Sequence, residues 1–388
     1  MARRTSSPTW NATAWQRDVQ DLSLPHRILL TTDAVGGVWT YSLTLAAGFV
    51  ACGCQCVLAV LGPPPGPAQR AAAAAIPGLR LIETNLPLDW TATAEAELGA
   101  AAAKLDHIAA AVGAVTVHLH SPALAAFPWR AGLVAVAHSC VGSWWEAVRG
   151  GAPPADFAWR SRLMRCGLAR ADIVIAPSLA FAHALRRLYG DLPPIRVVHN
   201  GLAAPAALPQ ARRRRRVLTA GRLWDPGKNI LLLDAVLERI SVPIDAAGPI
   251  EGADGSRLNS TRLHLLGNLS PEELRSACRG SAIFAAPSLY EPFGLAVLEA
   301  AQCATPLLLA DIPTFRELWD GAAVFCSPHD PAAWATAIRA LLAAPRERAR
   351  LGASARSRAS HYTAIRMISA TAAWHRAVHE AGPLRLPA

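Results

Sequence analysis

The chain has 388 residues, long for one domain and comfortable for two that each bury a core. Lys and Arg number 38 against 28 Asp and Glu, a basic balance that suits phosphate-bearing ligands, an anionic membrane surface or nucleic acid. No uncharged apolar run approaches the roughly 20 residues of a membrane span, and the 8 cysteines are too scattered for a small disulfide scaffold, so a reduced, cytoplasmic setting is expected.

Met1 to Pro25 carries Arg3-Arg4 and two Trp but no apolar segment, which argues against a cleaved secretory or twin-arginine signal; residues 1–26 read as a mobile extension. Arg27 to Thr32 is a strand, Asp33 to Val38 a glycine turn and Thr40 to Cys52 an apolar helix, the opening unit of a doubly wound sheet. Gly36-Gly37 does not fit Gly-x-Gly-x-x-Gly, which disfavours a nicotinamide cofactor. Cys52, Cys54 and Cys56 have no histidine nearby to complete a zinc set and read as small buried thiols. Further strands are expected near Cys56–Leu61, Leu79–Glu83, Val115–Leu119, Leu133–His138, Asp172–Pro177 and Ile195–His199, with helical composition over Ala92–Val112.

In such a sheet, ligands bind outside the carboxyl ends of the strands. His138 ends one strand, and His118 and His120 flank Leu119 at the end of the preceding one, on the expected cleft side. A histidine there serves either as a structural residue or as a ligand contact. Trp144 and Trp145 follow, with Gly150-Gly151 and Pro153-Pro154, in a stretch read as a loop; the indoles either face a carbohydrate acceptor or pack inward.

Residues 201–216 read as linker, rich in Ala and Pro up to Gln210. The run Arg212 to Arg216 has no interleaved aromatics and reads as a solvated approach to the strand Val217–Gly221, not as a nucleic-acid patch. Arg222 and Lys228 then stand six residues apart at a strand carboxyl end, an arrangement that would offset the charge building on a departing diphosphate. The βα alternation continues through Ile244–Gly248 and Leu263–Gly267, with Ser270 and Glu273 forming a capping box. The run Ala282 to Pro287 is a buried strand, and a helix is expected to begin between Pro292 and Gly294, freeing the amides of Phe293, Gly294 and Leu295 as an anion site. Glu291 stands on the loop before it and Glu299 about one turn inside it.

Glu-x7-Glu with Pro-Phe-Gly after the first Glu resembles the signature of glycosyltransferase family 4, retaining enzymes of the GT-B fold. The resemblance runs from about residue 27 to 375. It implies two Rossmann-like doubly wound domains, 27–200 for the acceptor and 217–364 for the donor, facing an interdomain cleft, with residues 365–388 crossing back to the first domain. By the same resemblance Glu291 lies against the transferred sugar and Glu299 holds the ribose. Gly36 and Gly37 close over the diphosphate, which Arg222 and Lys228 bind, and His138 touches the donor sugar. The backbone of Gly267, Asn268 and Leu269 meets the base.

The expected activity is therefore retaining hexose transfer from a nucleoside-diphosphate sugar to a glycan or glycolipid acceptor, with no cofactor and no metal. Trp144, Trp145 and His120 are the acceptor candidates, and peripheral contact with the inner face of an anionic membrane is compatible with the basic surface. A sugar-nucleotide epimerase of the same fold and a non-catalytic nucleotide-sugar-binding subunit are the alternatives.

Overall fold

The computed structural model describes residues 22–151, 153–204, 212–252 and 255–382. Most of the N-terminal extension and residues 205–211 of the expected linker lie outside them.

The first half runs β1 (Arg27–Asp33), α1 (Gly37–Ala51), β2 (Gln55–Leu61), α2 (Pro67–Ala74), β3 (Arg80–Glu83), α3 (Glu95–Ala111), β4 (Thr116–Leu119), β5 (Gly132–Val136), α4 (Val141–Val148), α5 (Ala158–Arg170), β6 (Ile173–Ala176), α6 (Leu179–Tyr189) and β7 (Ile195–Val197). The second runs β8 (Arg214–Ala220), α7 (Ile230–Val236), β9 (Ile244–Ala247), β10 (His264–Gly267), α8 (Pro271–Gly280), β11 (Ser281–Ala286), α9 (Leu295–Gln302), β12 (Leu307–Ala310), α10 (Pro313–Trp319), β13 (Ala323–Cys326), α11 (Pro331–Ala343), α12 (Pro345–Ala359) and α13 (Ala364–Ala381).

Two parallel sheets result, of order β3-β2-β1-β4-β5-β6-β7 and β10-β9-β8-β11-β12-β13. Strands covered on both faces must be largely apolar, as β12 is throughout and β11 is after Ser281, with every residue buried. In each sheet the order reverses direction beside the first strand, between β1 and β4 and between β8 and β11. Loops diverge there and leave a crevice, so the loops after β1, β4, β8 and β11 are the ones free to meet a ligand.

Several expectations shift. Trp144 and Trp145 lie on α4, not in a loop, because the Cys140 thiol and Ser143 amide form a helix start. β5 stops at Val136, before His138, and β8 begins at Arg214, inside the expected linker. The arginine run is not all solvated. Arg213 donates to the carbonyls of Cys278, Arg279 and Ser281 at 3.0, 3.3 and 3.0 Å and to those of Cys303 and Ala304 at 2.9 and 2.8 Å. One guanidinium thus satisfies the carboxyl ends of both α8 and α9. Cys54 and Cys56 are buried, and no group of three metal-ligating side chains occurs among the described residues. No helix among those residues is long and apolar enough to cross a membrane.

The last helix, α13, packs on the first sheet. Met367, Ile368 and Ala372 share a buried cluster with Ile28, Leu30 and Phe49. Two glycines permit its path. A Cβ on Gly48 would fall 2.5 Å from Ile368 Cδ1, and one on Gly201 would fall 2.1 Å from the Thr363 carbonyl oxygen.

Candidate functional site between the two sheets

The turn after β1 meets the loop after β8. A Cβ on Gly36 would lie 3.7 Å from Arg222 Cδ and Nη1, and one on Gly37 would lie 3.1 Å from Leu295 Cδ1 at the start of α9. The two glycines therefore let backbone from the first half settle onto a cation and a helix end from the second.

Both cations are paired. Arg222 Nη2 donates to Asp225 Oδ2 at 2.8 Å, and Lys228 Nζ bonds Glu291 Oε2. Asp225 is 6% exposed and was not singled out from the sequence. Burial pushes its carboxyl up, but Arg222, Lys228, the Trp144 N–H and the Gly227 amide outweigh that and hold it below the usual range.

The helix starts later than expected. Pro292 and Phe293 stay outside α9, Gly294 caps it at φ 92°, and the first turn leaves the amides of Gly294, Leu295, Ala296 and Val297 outside the ladder that begins with Leu298 donating to the Gly294 carbonyl at 3.1 Å. Only glycine holds that left-handed cap without strain. The Phe293 ring is buried against Tyr362, centroids 5.6 Å apart. Glu299 projects from α9 with its pKa pushed up to about 7 by burial, which Arg275 partly offsets.

Around the rest of the crevice, Gly267 ends β10 at φ 68°, Asn268 is exposed and Leu269 packs partly into the core. The base candidates thus sit at an open sheet edge. His120 is buried, its amide and Nδ1 lying 2.9 and 2.8 Å from Thr31 Oγ1. Burial lowers its pKa against the opposing pull of Asp33 and Asp89. His118 corrects its expected place. It is 1% exposed and joined to Tyr41 and His375 in the core, because successive residues of a strand face opposite sides and its side falls under α13. His138 Nε2 is buried with no hydrogen-bond partner among the described residues, and burial, with His120 adding, brings its pKa down to about 3.

α4 ties the halves together. Trp144 Nε1 donates to Asp225 Oδ1 at 3.1 Å, so the N–H of this acceptor candidate is held by the cation loop. Tyr290, next to Glu291, accepts from the Cys140 amide at 3.1 Å and lies 2.9 Å from Ser143 Oγ. Trp145 packs on Phe157, centroids 5.5 Å apart. Nearby, Ser178 Oγ donates to the Pro292 carbonyl at 2.7 Å, and Glu317 accepts from the amides of Leu179 and Ala180 at 2.9 and 2.6 Å, capping α6 from the other half. Tyr290 and Glu317 escaped the sequence because each acts on a partner distant along the chain, whereas Asp225 had a local hint in Arg222 three residues before it, as Tyr290 had in Glu291.

A family described as "Glycosyltransferase Family 4" matches residues 35–204, and one described as "Glycosyl transferases group 1" matches residues 251–358. Similar curated proteins include a glycogen synthase of Mycobacterium tuberculosis (strain H37Rv), 30% identical over 207 residues, 48% of this chain and 49% of that one. A D-inositol 3-phosphate glycosyltransferase of Xylanimonas cellulosilytica is 31% identical over 226 residues, 49% of this chain and 53% of that one. The chain thus spans about half the length of these relatives. Among solved structures, the sucrose-phosphate synthase of Thermosynechococcus elongatus superposes with a TM-score of 0.75 at 18% identity, over 92% of this chain and all of that one. HepE of Anabaena, solved in complex with UDP-glucose, does so with 0.71 at 18%, over 90% of this chain and 99% of that one. Both halves carry a family match on a shared architecture, and the chain belongs to the group 1 glycosyltransferases, built on the GT-B fold.

Proposed function

We propose that this protein transfers a hexose from a nucleoside-diphosphate sugar to a hydroxyl of a glycan or glycolipid, with retention of anomeric configuration. The observation that carries the reading is the meeting of Arg222, Lys228, Glu291 and the Gly36-Gly37 turn at the first turn of α9. Two cations and a helix end aimed at one spot suit a diphosphate and little else in the crevice.

The diphosphate takes Lys228 from Glu291 and Arg222 from Asp225, and the freed Glu291 turns toward the sugar. Gly36 and Gly37 cover the phosphates, Glu299 reaches the ribose, and the backbone of Gly267 to Leu269 lies along the base. His138 offers its unpartnered Nε2 to a sugar hydroxyl. As the glycosidic bond breaks, charge builds on the diphosphate and the fixed cations stabilise it, so the reading calls for no metal. The acceptor oxygen then bonds the anomeric carbon from the face the diphosphate leaves, and its proton passes to a departing phosphate oxygen. The acceptor side holds His120, Trp144 and Trp145. The curated relatives named above, and the UDP-glucose bound to HepE, support a sugar-nucleotide donor.

The test is thermal denaturation with UDP, GDP and ADP and their sugar conjugates, on the wild type and on Arg222→Ala/Lys228→Ala. A nucleotide at 100 times its Kd stabilises by about 2.7 kcal/mol, or several degrees. One base should shift the wild type and leave the double variant unmoved. No shift with any nucleotide overturns the donor site. A donor consumed with formation of its epimer and no glycoside would show an epimerase instead.

A further inference from the structure

His138 has no hydrogen bond to hold its ring among the described residues, yet the reading above needs that ring at a fixed angle. Its support is the edge of Tyr41, with ring centroids 4.5 Å apart and planes at 72°. Tyr41 stands on α1 and is itself held from the far side. Its hydroxyl lies 3.2 Å from His118 Nε2, His118 Nδ1 lies 3.0 Å from His375 Nε2, and His375 Nδ1 lies 2.9 Å from Thr116 Oγ1. The His118 and His375 rings stack at 5.3 Å.

Each imidazole in this chain has one partner on each nitrogen. A neutral ring carries one N–H and one lone pair, so donation running in one sense along the chain, from Tyr41 to Thr116 or the reverse, satisfies both nitrogens of each ring. A buried polar chain satisfied in this way is rigid, and displacing one member leaves a desolvated group unpaired. His375 belongs to α13, whereas His138 follows the carboxyl end of β5. Packing alone would have been met by an apolar residue at 375.

We propose that Tyr41, His118 and His375 are positioning residues for His138, so that the C-terminal helix orients a group at the donor sugar without touching it. This rests on the reading of His138 given above. The variants are Tyr41→Phe, which keeps the ring and removes the hydroxyl, and His375→Gln, with His138→Ala as reference. Two readouts are needed.

The first is the imidazole NMR spectrum of histidine-labelled protein, in which His138→Ala assigns the His138 signal. Tyr41→Phe and His375→Gln should both displace it. A His138 signal unmoved in both overturns the proposal, whatever the protein's activity. The second is steady-state kinetics with the donor that the nucleotide panel identifies. Tyr41→Phe should lower kcat about tenfold with donor KM within twofold of wild type, and Tyr41→Phe/His138→Ala should be no slower than His138→Ala alone. Unchanged kcat with a lower melting temperature, or fully additive losses, would make the chain a structural feature only and overturn the proposal. A wild type that turns over no donor would remove the reading of function, and the spectrum would still decide the coupling.

Discussion

Moving the protein from pH 7.5 to pH 5 should destabilise the first half and stabilise the second. His375 is 0% exposed and burial lowers its pKa to about 3, so it stays neutral in the native protein across this range. Once unfolded it takes up a proton below its ordinary value of about 6.5. The unfolded state then binds more protons than the native state, and stability is lost as the pH drops below about 6.5. At pH 5 the loss from His375 is about 2 kcal/mol, taking about 1.36 kcal/mol per pH unit over roughly 1.5 units. His138, also lowered to about 3, adds a loss of the same sign, as do His118 and His120, both held down by burial.

Glu299 works the other way. Its pKa of about 7 exceeds its unfolded value, so native protein binds the extra proton and stability rises as pH drops through about 7, by about 2.7 kcal/mol at pH 5. The four histidines lie in the first half or against it, and Glu299 lies on α9 in the second. Scanning calorimetry at pH 7.5, 6.5, 5.5 and 5.0 should show the transition of the first half moving down by several degrees while that of the second holds or moves up. His375→Gln should flatten the fall, and Glu299→Gln should remove the rise. An equal pH dependence in wild type and His375→Gln would refute the buried neutral histidine.

Arg213→Ala should destabilise the second half by about 3 kcal/mol, since the carbonyls ending two helices lose a charged donor together, and Arg213→Lys should restore little because one ammonium cannot span both ends; urea midpoints measure both. Gly167→Ala should cost about 3 kcal/mol or more, because its Cβ would stand 1.7 Å from the Pro122 carbonyl oxygen and α5 would have to move, whereas Gly280→Ala, with nothing within 4 Å, should leave the midpoint within about 0.5 kcal/mol of wild type.

How much of this was legible in one dimension depends on the range of the interaction. A strand buried on both faces and a helix starting after a glycine are written in adjacent residues, so the alternating βα pattern, the Gly36-Gly37 turn and the pairs Arg222/Lys228 and Glu291/Glu299 could be read before any coordinates. β13 could not, because Ala323–Cys326 is an edge strand, only partly buried, that pairs only with β12. The start of α9 was misplaced because proline at a first turn is a common pattern, whereas the φ of 92° at Gly294 is set by the loop it closes.

The sequence by itself determined the fold class and the chemical types gathered at the crevice, since both follow from local periodicity and residue chemistry. Tertiary structure alone decided the pairings. Asp225 for Trp144, Glu317 for the start of α6, and His375 for His118 join residues whose separations along the chain carry no signal. The physical reason is that such bonds gain their strength from desolvation and fixed geometry, and both exist only once the two sheets and the last helix have packed.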